Sequence, residues 1–154
     1  MGRWLVLRRT REKEEMTKLH QRKWHVRMVK PQFVDAILAG TKHRTIRPVP
    51  KRAISRGDLL DIRQWSGLPY RSKQIPVLLA VVRFVISVTI TEDRIFVGAL
   101  NDPMLMLDSF ARADGFPDWP AMRDWFKQQH GLPFTGQIIE WSPLQNATRE
   151  CPAI

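Results

Sequence analysis

Apolar residues along this chain change their period several times, and each change marks an element. From Lys23 onward, Trp24, Val26 and Met28 alternate with His25, Arg27 and Val29, the two-residue period of a strand with one buried face. Pro31 then fits the first position of a helix, and Phe33, Val34, Ile37 and Leu38 form a helical stripe that Gly40 stops. Thr45 to Arg47 reads as extended, and Pro48 and Pro50 forbid a helix after it. Arg56-Gly57-Asp58 predicts a turn into a strand over Leu59 to Trp65, with a loop over Ser66 to Gln74. The β-branched run Ile75 to Ile90 suits one bent strand or a strand pair in a small barrel. Helical spacing returns with Leu100, Met104, Leu107 and Phe110, and again over Trp119 to Phe126, where Pro120 fits a first helical position. Pro133 to Trp141 reads as a final strand and Ser142 onward as a tail. The sum is an α+β fold: a small mixed β-barrel of about five or six short strands with two or three flanking helices. We assign residues 1–22 to a basic N-terminal extension, 23–141 to the folded domain and 142–154 to the tail.

Composition narrows the class. At 154 residues with 44% apolar content, one hydrophobic core forms without a disulfide or metal staple. The only cysteine is Cys151, which excludes a disulfide framework and any CxxC-type site and favours a reducing compartment. The longest apolar run, Val77 to Ile90, is interrupted by Arg83 and too short for a membrane span, and Trp4 to Leu7 is shorter than a secretory signal core. A cytoplasmic location with no membrane partner is the expectation. The net charge of +10 is unevenly placed: residues 1–30 and 42–73 each carry +7, whereas residues 74–154 carry −3. A basic arm at a terminus is ordinarily a solvated segment. In the central block, by contrast, cations are interleaved with Trp65 and Tyr70, which offer rings on which a base stacks.

Two common chemistries fail on spacing. His20, His25, His43 and His130 form no zinc-ligand pattern and lack a cysteine partner, so no metal or other cofactor is expected. Gly40 is followed by Thr41-Lys42-His43 without a second glycine, which rules out a glycine-rich phosphate cradle. What remains is Gly40-Thr41-Lys42-His43-Arg44-Thr45-Ile46-Arg47. In an extended segment Thr45 and Arg47 point to one face, and Lys42, in the turn before, reaches over it. A surface turn with solvated Lys42 and Arg47 has the same spacing, so the pattern alone leaves both readings open.

The stretch Asp35 to Arg47, followed by Gly57-Asp58-Leu59-Leu60, resembles the signature of the ASCH superfamily, in which a helix ending IL-x-G-x-K runs into T-x-R and then a GD turn. Asp114-Gly115-Phe116, Met122, Trp125-Phe126 and Gly136 to Trp141 are similar to the second half of many bacterial and phage members. The resemblance covers roughly residues 26–141. It implies a PUA-like β-barrel, a fold associated with RNA binding. Some small bacterial members are amidohydrolases that remove the acyl group from N(4)-acetylcytidine and related N(4)-acylated cytosines, using a lysine, a threonine and a glutamate. These positions fall on Lys42, Thr45 and Asp114, the last one methylene shorter than the family's glutamate and also readable as a plain turn residue before Gly115.

The chemistry suits such a trio. A threonine hydroxyl needs a base, and a lysine becomes one only when burial or neighbouring cations lower its pKa. Arg44, Arg47 and Lys30 are the candidate cations, and Arg47, Arg44, Trp65 and Tyr70 the candidate substrate contacts. The expected substrate is a modified cytosine nucleoside. The rivals are a non-catalytic RNA-binding module, resting on the central basic block, and a metal-independent ribonuclease in which Lys42 stabilises a phosphorane.

Overall fold

The computed structural model describes residues 10–14, 17, 21–99 and 102–144. The remainder of the N-terminal extension, including His20, lies outside the described residues, as do Leu100 and the chain from 145 with Cys151. Residues 10–14 are helical and exposed.

The architecture is mixed α+β, with seven strands among the described residues joined in one sheet. In chain order the elements are β1 (Trp24–Met28), a 3-10 turn (Pro31–Phe33), α1 (Val34–Leu38), β2 (Arg44–Arg47), β3 (Leu59–Trp65), β4 (Gln74–Ile90), β5 (Ile95–Val97), β6 (Asp102–Pro103), α2 (Leu107–Ala113), α3 (Trp119–His130) and β7 (Phe134–Pro143). β1 pairs parallel with β3, and β3 pairs antiparallel with the first half of β4. The second half of β4 pairs antiparallel with β7, and β7 with β2. β4 is thus one long bent strand, the first of the two forms its β-branched run allowed, and its register shifts between Val82 and Phe84 where it passes from one partner to the other.

The sheet is not closed into a barrel: no ladder among the described residues joins β1 to β2. The two edges still meet through one side chain, because the Arg47 guanidinium donates to the Met28 carbonyl. Ile37, Leu60, Ile62, Ile90, Met122 and Phe126 are among the residues of the core between the sheet and the helices. No helix among the described residues is long and apolar enough to cross a membrane.

Three expectations need correction. The alternation in β1 has the right period but the opposite face: His25 is buried and Val26 exposed. The reason is polar, since His25 Nε2 donates to Asp58 Oδ2 at 2.9 Å, and the same carboxylate accepts from the Ser55 amide at 3.0 Å. The helix expected across Leu100 to Phe110 is confined to α2, and the residues before it form β5 and β6. Pro103 lacks the amide a helix interior requires, so Met104 lies before the helix, while Met104 and Leu107 still pack against the core and Phe110 is buried in it. Finally, β7 runs on to Pro143 because Ser142 and Pro143 still pair with Val81 and Ala80, so the tail begins later than Ser142.

Candidate functional site

Two helix ends built the same way place the site. At the end of α1, Gly40 (φ +79°) lets the chain turn back so that the Gly40 amide donates to Ile37 O and the Thr41 amide to Ala36 O. At the end of α2, Gly115 (φ +94°) does the same, with its amide on Arg112 O and the Phe116 amide on Ala111 O. Both are Schellman ends, in which a glycine takes the left-handed conformation that a side chain disfavours. Lys42 follows the first glycine by two residues, and Asp114 precedes the second. Gly115 has a further duty: a Cβ there would stand 3.0 Å from Phe33 Cδ1 and 3.2 Å from Lys42 Cδ. The glycine therefore admits the lysine stem to its place.

The two side chains meet inside. Lys42 Nζ lies 3.2 Å from Asp114 Oδ1 and donates to the Asp114 backbone carbonyl. Its ammonium also sits 4.8 Å from the centre of the Phe33 ring. Lys42 is 3% exposed, Asp114 4% and Thr45 8%. Each lines one cleft of ≈ 610 Å³, which Arg47, Trp65 and Tyr70 also line. Phe33, Phe116 and Trp125 form an aromatic wall on the helical side, with rings edge-on or tilted at centroid distances of 5.6 to 6.4 Å.

Arg44 is placed differently from the substrate contact expected of it, and it does not line the cleft. Its guanidinium lies 4.1 Å from the Phe110 ring centre, donates to the Phe110 carbonyl at 2.5 Å, and keeps Nε 3.8 Å from Asp114 Oδ1. Arg44 therefore braces Asp114 from behind. Lys30 lines the cleft, but its ammonium is 5.0 Å from the Trp125 ring centre and donates to Gln129 Oε1 at 3.1 Å. The sequence offered no signal for Phe33 beyond a place in a helical stripe, or for Phe116 and Trp125 as walls.

Burial lowers the pKa of Lys42; Asp114 opposes the shift by attraction and hydrogen bonding, while Arg44 and Arg47 add to it by repulsion. Burial raises that of Asp114, against the pull of Lys42, Arg44 and Arg47. Three cations thus surround one carboxylate. Of the three, lysine gives up a proton more readily than arginine, so it carries the surplus of positive charge as a lowered pKa. Among the described residues no three His, Cys, Asp or Glu side chains gather as a metal-binding set. The chain matches no family model, no curated protein and no solved structure in the comparisons made.

Proposed function

We propose that this cleft hydrolyses the acyl amide of N(4)-acylated cytosine nucleosides such as N(4)-acetylcytidine. The observation that carries the reading is a buried lysine, in a surplus of positive charge, lining the same cleft as a buried threonine. Lys42 takes the proton of Thr45 Oγ as that oxygen bonds to the acyl carbon. The bond from the acyl carbon to the exocyclic nitrogen then breaks, and Lys42 returns its proton to the departing nitrogen. Water attacks the resulting threonine ester, releasing the carboxylic acid and restoring the hydroxyl. Proton transfer of this kind contributes ~10²–10⁴ in rate. Asp114 orients Lys42, and Arg47 positions the substrate. Within this reading the sheet corresponds to a PUA-like barrel whose final gap, between β1 and β2, is bridged by the Arg47–Met28 contact.

The direct test is release of cytidine from N(4)-acetylcytidine by the intact chain, with a Thr45→Val variant as control. A second reading, a non-catalytic RNA-binding module, is favoured by the pair Trp65 and Tyr70, whose ring centres lie 5.3 Å apart at the cleft rim. A dedicated RNA binder loses affinity steeply with salt, whereas a nucleoside enzyme scarcely binds oligomers at all.

A further inference from the structure

A second, shallower lobe of ≈ 280 Å³ opens beside the main cleft and shares Met28, Arg47, Pro48 and Tyr70 with it. Its remaining walls are Val26, Arg27, Pro50 and Ile139, so no acidic residue lines it. Arg27 and Arg47 are both half-buried. Among the described residues neither has a carboxylate within ion-pair distance. Arg27 donates to the Val26 carbonyl at 2.8 Å and Arg47 to the Met28 carbonyl, both neutral acceptors on β1. Burial disfavours the charged form of each, and Arg27 repels Arg47, against a smaller attraction from Asp114 beyond ion-pair distance. Two partly desolvated guanidinium groups that repel one another form an arrangement that a bound anion relieves, and a guanidinium fork matches phosphate oxygens.

Tyr70 lines both lobes. It is the only non-glycine residue with positive φ among those described (+62°), and it is 90% exposed. Bonds across its loop hold it there, from the Ser66 amide to the Lys73 carbonyl at 2.8 Å and from the Gly67 amide to Ser72 Oγ at 3.0 Å. A bulky residue kept in a sparsely populated conformation, exposed and beside the Trp65 ring, points to a role where the two lobes meet.

We propose that the second lobe is a phosphate subsite, so that the substrate is a cytidine nucleotide with its base in the Lys42–Thr45 lobe, its ribose passing Tyr70 and its phosphate between Arg27 and Arg47. This rests on the reading of the main cleft given above. The test is calorimetric binding of cytidine, cytidine 5′-monophosphate, cytidine 3′-monophosphate and a cytidine-containing dinucleoside phosphate, at two salt concentrations, to the wild-type chain, Arg27→Gln and Arg27→Lys. Charge-assisted bonds to one phosphate predict at least about a tenfold advantage for a phosphorylated ligand over cytidine. That advantage falls with salt, is lost in Arg27→Gln and is partly kept in Arg27→Lys, which retains the charge without the fork, while cytidine binds all three proteins alike. The favoured phosphorylated ligand identifies the source as a free mononucleotide or a phosphodiester of RNA. Equal binding of cytidine and all three phosphorylated ligands by the wild type overturns the subsite, as does an advantage that Arg27→Gln leaves intact. Turnover of N(4)-acetylcytidine is read separately: phosphate preference without turnover contradicts the proposed activity alone, and turnover without phosphate preference contradicts the subsite alone.

Discussion

Lys42 Nζ and Asp114 Oδ1 stand 3.2 Å apart although 72 residues separate them in the chain, and both side chains are almost wholly buried. A lone buried charge is costly, so each of these groups depends on the other. Asp114→Ala, which leaves the lysine unpaired, should destabilise the fold by about 3–5 kcal/mol, the range for breaking a buried ion pair. Asp114→Asn keeps the shape and an acceptor and should cost less. Urea unfolding of both variants measures the difference.

Gly115→Ala probes the Schellman end from the other side. A side chain at φ +94° is strained, and its Cβ meets both Phe33 and Lys42. The strain alone is worth roughly 1–2 kcal/mol. We expect that loss in thermal or chemical unfolding, together with reduced turnover as the lysine stem is pushed aside. Gly40→Ala has the same strain at φ +79° but open space around the new methyl, and should lose stability with a smaller effect on turnover.

These glycines also mark how far the sequence was legible. Gly40 and the Asp114-Gly115 pair could be recognised as helix-end residues, and the α1-to-β2 turn followed from local preferences. What local preferences could not show was the meeting of the two ends, because it depends on tertiary contacts such as that of Arg44 in β2 with Phe110 in α2. The face of β1 was misread since a hydrogen bond to Asp58 outweighs apolarity at His25. Arg44 looked like a substrate contact from its place in the motif, yet its position in β2 turns it onto Phe110. Arg27 gave no signal at all, because its importance comes from the neighbouring edge strand that carries Arg47.

The pH profile has a definite sign. The working base is neutral Lys42, so kcat/KM should climb as pH rises through a lysine pKa that burial, Arg44 and Arg47 hold below the ordinary value. The same shift means that the folded chain binds this proton less tightly than the unfolded chain does. Its contribution to stability therefore increases with pH between the folded and the ordinary lysine pKa. Arg44→Gln removes one repelling cation that does not itself line the cleft, and should move the ascending limb to higher pH. An unmoved limb would assign it to another group.

Thr45 carries the nucleophile, and two substitutions separate its hydroxyl from its shape. Thr45→Ser keeps the hydroxyl and should retain measurable turnover; Thr45→Val keeps the outline and should abolish it. Mass spectrometry of the wild type quenched during turnover should find the acyl group as an ester on Thr45. Turnover by Thr45→Val at the wild-type rate would show that water attacks directly.

The most direct test of the central claim is turnover of N(4)-acetylcytidine by Lys42→Arg, with binding of a non-hydrolysable cytidine analogue measured on the same protein. Arginine keeps the positive charge but cannot act as a base near neutral pH, so turnover should fall by at least ~10²-fold while binding is largely kept. Undiminished turnover in Lys42→Arg would contradict the assignment of Lys42 as the base, whatever else the cleft binds.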